Sequence, residues 1–88
     1  MIELRALDFA VLEEIEFGNQ NGFRPSVASL SGDLETRVGL IDTSLGDLQR
    51  KGLIIGKGSA ETKRYTVTPK GQERILVGPS VIPAVKVG

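Results

Sequence analysis

The chain has 88 residues, 40% apolar and 25% charged, with eleven cationic and eleven acidic side chains. This is ordinary globular usage for one small domain with a modest core. Cysteine and histidine are both absent, which excludes disulfides, thiol chemistry, Cys/His zinc centres, iron–sulfur clusters and every histidine-based triad. No apolar run approaches the roughly 20 residues of a membrane helix, and no signal-peptide pattern opens the chain. A cytoplasmic protein without a membrane partner is the expectation.

Charge is unevenly distributed. Residues 1–22 carry Glu3, Asp8, Glu13, Glu14 and Glu16 against Arg5 alone. Residues 36–76 carry Arg37, Arg50, Lys51, Lys57, Lys63, Arg64, Lys70 and Arg74 against Asp42, Asp47, Glu61 and Glu73. An acidic front and a basic second half fit a basic face turned to a polyanion, and equally a solvated surface of mixed charge.

Val11, Leu12 and Ile15 fall on one face of a first helix, with Leu4 and Leu7 extending it. Two starts are open. A helix from Leu4 buries the Asp8 carboxylate, whereas Asp8 as N-cap starts the helix at Phe9. The helix is expected to stop near Gly18, in the turn-like run Gly18-Asn19-Gln20-Asn21-Gly22. Phe9 and Phe17 lie off the stripe, free to cover the C-terminal segment or another subunit.

Phe23, Arg24 and Pro25 read as extended, because the residue before proline is pushed from the helical region. Ser26 caps a second helix bearing Val27, Leu30 and Leu34, whose last turn Gly32 weakens. Thr36 is expected to cap a third helix with the stripe Val38, Ile41, Leu45 and Leu48, ended at Lys51-Gly52. Residues 53–55 read as a strand, 56–62 as a loop, and 63–67 as the returning strand with Tyr65 and Val67 facing inward. Thr68 followed by Pro69 starts a fourth helix to about Val77. The expected division is a domain over residues 1–78 and an apolar tail over 79–88.

Two short middle helices joined by a brief turn, then a hairpin, form a helix-turn-helix with a wing. Arg24-Pro25-Ser26-Val27, then Leu30 and Leu34, then Leu45-x-x-Leu48-Gln49-Arg50-Lys51-Gly52-Leu53-Ile54 resemble bacterial and archaeal winged-helix regulators. The LexA amino-terminal domain and the MarR and PadR groups are the nearest likenesses. Tyr65-Thr66-Val67-Thr68-Pro69-Lys70-Gly71 resembles the segment closing the wing in those groups. The resemblance covers residues 7–77. It implies a mostly helical α+β fold, a winged helix-turn-helix with a three-helix core, a β-hairpin wing and a C-terminal helix.

The resemblance also implies a duplex-DNA-binding transcriptional regulator, with helix 3 in the major groove and the wing on phosphate or in the minor groove. Carried over by position, helix 3 would present Arg37, Gly39, Leu40, Thr43, Ser44, Asp47 and Arg50. The glycines at 39 and 46 offer no side chain, and Asp42 and Asp47 repel phosphate, although a carboxylate accepts from cytosine N4. Arg24, Ser26 and Ser29 surround the start of helix 2, where free amides suit a phosphate. Simple helix capping is the plainer role of Ser26, and the two can coexist. Lys57, Lys63 and Arg64 flank the wing loop against Glu61, either as phosphate contacts or as hairpin edge charges.

Catalysis finds little support. Glu13, Glu14 and Glu16 fit a solvated helix face, and Gly56-Lys57-Gly58-Ser59 lacks the Walker pattern. No metal or cofactor is implied. The expected partners are double-stranded DNA and a second copy of the chain, with helix 1, helix 4 and the tail as the dimer interface. The competing expectation is a winged-helix protein–protein interaction module in a larger assembly, favoured by the balanced net charge and by Asp42 and Asp47.

Overall fold

The computed structural model describes residues 3–59 and 62–78; the expected tail, 79–88, and Glu61 lie outside the described residues. The order is α1 (Ala6–Gln20), α2 (Val27–Leu34), α3 (Val38–Arg50), β1 (Ile54–Lys57), β2 (Arg64–Val67) and α4 (Pro69–Val77). No helix among the described residues is long and apolar enough to cross a membrane.

The first helix starts at Ala6, not at Phe9. Arg5 occupies the N-cap without a side-chain cap, and Asp8 lies inside the first turn, buried. Of the two starts left open, Asp8 as N-cap is therefore corrected, and the helix that buries Asp8 forms, from Ala6 instead of Leu4: a serine and an arginine supply what burial of the carboxylate requires. The helix also runs past Gly18 to Gln20. Gly18 is buried because the Pro25 ring and the Phe23 carbonyl press against it, so the turn begins two residues later than composition suggests.

At the start of α2 the Ser26 hydroxyl accepts from the Ser29 amide, and the Ser29 hydroxyl accepts from the Ser26 amide. This reciprocal box satisfies two orphan donors at once. The expected Thr36 cap of α3 does not form. Arg37 holds the N-cap position, and the Thr36 hydroxyl turns back to the Leu34 carbonyl. The buried stripe of α3 is Ile41, Ser44, Leu45 and Leu48. Val38, expected on that stripe, is exposed, one turn before the contact with α1 and α2 closes.

Ile54 pairs with Val67, Ile55 with Thr66, Gly56 with Tyr65 and Lys57 with Arg64 in an antiparallel hairpin. Gly56 and Lys57, expected in the loop, therefore belong to β1. Tyr65 and Val67 face inward as predicted. The Tyr65 amide donates to the Pro25 carbonyl, which adds the extended linker to the open edge of β2. The Thr68 hydroxyl caps α4 by accepting from the Gly71 amide. Gly71 is required there, since a Cβ would stand 2.2 Å from the Leu53 carbonyl oxygen.

The core joins Val11, Leu12 and Ile15 of α1 to Leu30, Ile41, Leu45 and Leu48 of the helix-turn-helix, and to Leu53, Ile54, Tyr65 and Val67 of the hairpin. Phe9, expected to be surplus, is buried, with the Arg74 guanidinium 5.4 Å from its ring centre. Arg74 is thereby withdrawn from the basic surface. Phe17 stays 65% exposed. The architecture is the predicted α+β winged helix-turn-helix.

Candidate nucleic-acid interface

The candidate interface begins with α3. Its buried side is fixed by Ile41, Ser44, Leu45 and Leu48, so at 3.6 residues per turn Gly39, Thr43, Gly46 and Arg50 stand opposite. Leu40 and Asp47 flank one side of that stripe, and Asp42 the other. Arg37, Leu40, Thr43 and Arg50 are all exposed, as an outward-facing set must be.

Ser44 is the exception. It is 1% exposed and its hydroxyl donates to Asp8 Oδ1 at 2.6 Å. Its expected place on the groove-facing side is therefore corrected: it joins α3 to α1. Sequence spacing alone puts Ser44 near the boundary of the two faces, and the buried carboxylate draws it inward.

A line of polar contacts continues outward from that pair. Arg5 Nε approaches Asp8 Oδ2 at 3.5 Å, and Arg5 Nη2 approaches Asp47 Oδ2 at 3.3 Å. The other Asp47 oxygen accepts from Arg50. Asp47 thus occupies two guanidinium groups, one from the N-cap residue of α1 and one from the end of α3. Asp42 instead lies toward the hairpin: burial first, and then the Asp42 charge, push the Tyr65 phenol above its ordinary value.

At the start of α2, Ser26 and Ser29 hydroxyls are engaged with each other's backbone. They cap the helix, and Arg24 beside them is exposed. The Arg24 carbonyl accepts from Arg64 Nη1 at 2.9 Å, and the Arg64 guanidinium sits 5.8 Å from the Phe23 ring centre. Lys57 pairs in register with Arg64, and the half-buried Lys63 precedes it. The hairpin therefore gathers Lys57, Lys63, Arg64 and Arg24. Among the described residues, no carboxylate lies within ion-pair distance of Arg24, Arg37, Lys57, Lys63 or Arg64.

Asn19 escaped the sequence reading. Its side chain donates to the Phe23 and Tyr65 carbonyls and accepts from the Val67 amide at 2.9 Å. It ties the end of α1 to the linker and the wing, and it lines a shallow pocket with Gly22, Phe23, Arg24 and Thr66. Its run of turn-forming neighbours gave no signal of this. On the opposite helix pair, Glu14 of α1 is raised above the usual carboxylate range, first by burial and then by the charge and hydrogen bonding of Asp33 on α2.

No sequence-family profile matches the chain, and no curated protein matches it in sequence. Solved structures do match in three dimensions. The transcriptional regulator BldR from Sulfolobus solfataricus is 22% identical, with a TM-score of 0.70 over 84% of this chain and 52% of that one. A MarR family transcription regulator is 26% identical, with a TM-score of 0.69 over 83% and 48%. Streptococcus pneumoniae FabT, solved in complex with DNA, is 21% identical, with a TM-score of 0.65 over 85% and 62%. The fold is the winged helix-turn-helix that MarR family regulators share, and this chain spans about half the length of the structures it matches.

Proposed function

We propose that the chain is a duplex-DNA-binding domain of a transcriptional regulator, acting by occupying an operator. The observation that carries this reading is a set of cations with no carboxylate within ion-pair distance among the described residues: Arg37 at the start of α3, and Arg24, Lys57, Lys63 and Arg64 around the hairpin. On this fold a helix in the major groove leaves the wing beside the phosphate backbone. Phosphate contacts fix position, and the outward side of α3 meets base edges. Support also comes from the likeness to FabT, which was solved with DNA bound.

The functional unit in this reading is a homodimer, since one recognition helix covers only a few base pairs. Phe17 on α1 and Leu76 and Val77 on α4 are exposed apolar groups available for the interface.

A second reading, a protein–protein interaction module, draws on Asp42 and Asp47, which make α3 a poor polyanion reader. Titration of the full chain against a mixed-sequence duplex at low and at moderate salt separates the two. The DNA reading predicts affinity that falls steeply with salt as counterions are released. Undetectable binding at low salt contradicts it and favours the protein partner.

A further inference from the structure

The outward side of α3 offers apolar groups where a base reader more often carries amides or guanidinium groups. Leu40 is 53% exposed, three residues before the exposed Thr43, and residues three apart on a helix are surface neighbours. The Thr43 hydroxyl donates to the Gly39 carbonyl at 3.0 Å. With that proton returned to the backbone, the hydroxyl has no donor left for a base, and the exposed threonine also carries a methyl group. Arg50, the guanidinium on the same stripe, is held by Asp47. Among the described residues, Leu40 is neither in the core nor packed against it. Arg37, at the start of α3, has no ion-pair partner among the described residues and leaves a positive charge for phosphate beside this apolar face. Among the major-groove edges of the four bases, only thymine presents a methyl group.

We propose that Leu40 and the Thr43 methyl form a contact for the thymine C5-methyl, so that α3 reads thymine by apolar packing. The inference rests on the DNA-binding reading above and names what that site recognises. Asp42, which can accept from cytosine N4, lies on the other flank and is not part of the contact.

The test starts by selecting preferred duplexes from a random pool with the full chain. Thymines in the preferred duplex are then replaced singly by deoxyuridine, which removes only the methyl. The expected results are thymine at a fixed place in the selected site and binding about fourfold weaker for each contacted methyl lost, the value of one buried methyl group. Leu40→Ala, at an exposed position, should weaken binding to the thymine duplex and bring it close to the deoxyuridine duplex. Equal binding of the two duplexes by the unaltered chain overturns the inference while leaving DNA binding intact, as does a selected site without thymine. No binding to any duplex overturns the DNA reading itself, and the inference with it.

Discussion

The Ser44 hydroxyl donates to the Asp8 carboxylate across 36 residues of sequence, and each of the two is 1% exposed. A carboxylate this deep needs donors, and Ser44 of α3 and Arg5 of the preceding turn provide them. Ser44→Ala should cost about 1–3 kcal/mol, because it leaves a buried acceptor short of a donor. Asp8→Ala combined with Ser44→Ala should cost less than the sum of the single changes. Urea denaturation of the four proteins measures both. Strict additivity would show that the pair does not hold α1 to α3.

On the DNA-binding reading, Asp47 would restrain the interface. It holds Arg5 and Arg50, and it adds a negative charge beside the stripe that would meet phosphate. Asp47→Asn should tighten binding to every duplex and steepen the salt dependence by about one unit of log–log slope, as Arg50 becomes available. Anisotropy titrations over a salt series check this. Weaker binding after the change would mean that Asp47 positions Arg50 for DNA instead of occupying it.

Glu14 sets a pH dependence of stability. Its carboxyl is raised in the folded chain by burial and by Asp33, so the folded state binds the proton more tightly than the unfolded one. Stability from this pair is present at low pH and is lost as pH rises above about 4, through the raised folded value. Glu14→Gln removes the ionisation. The Tm of the variant relative to the parent should be higher at pH 7 than near pH 4. A constant difference would contradict the assignment.

The homodimer predicts its own result. Sedimentation at tens of micromolar, on the order of ordinary dimer affinities, should give twice the chain mass. Phe17→Ser, at an exposed position, should shift the equilibrium toward monomer without lowering helicity. A monomer throughout would remove α1 and α4 as the interface.

Sequence made local chemistry legible. The Ser26 cap, the Thr68-Pro69 start of α4 and the alternation of Tyr65 and Val67 each depend on neighbours within four residues. Failures came where a distant partner decided the outcome. Asp8 looked wrong inside a helix because Ser44, its partner, is 36 positions away. Thr36 is the exception, a local one: its hydroxyl bonds the Leu34 carbonyl two residues back and does not cap α3. Phe9 looked surplus because the Arg74 guanidinium that covers it belongs to the last helix. Asn19 was hidden for the same reason, since two of its three partners lie on β2. Of the candidate site, the outward residues of α3 came from the family resemblance, carried over by position, and Ser44 among them turned inward to the buried Asp8.

The most direct test of the account is the salt dependence of duplex binding by Lys63→Ala/Arg64→Ala beside the parent chain. Both cations belong to the wing, and neither has a carboxylate partner among the described residues. If the wing lies on phosphate, the double variant should lose affinity for all duplexes about equally, and its log affinity should fall less steeply with log salt by about two units. Its Tm is measured alongside, because Arg64 also bonds the Arg24 carbonyl. A folded double variant that binds as tightly as the parent, with the same slope, would contradict the wing as a DNA contact and favour a protein partner for this domain.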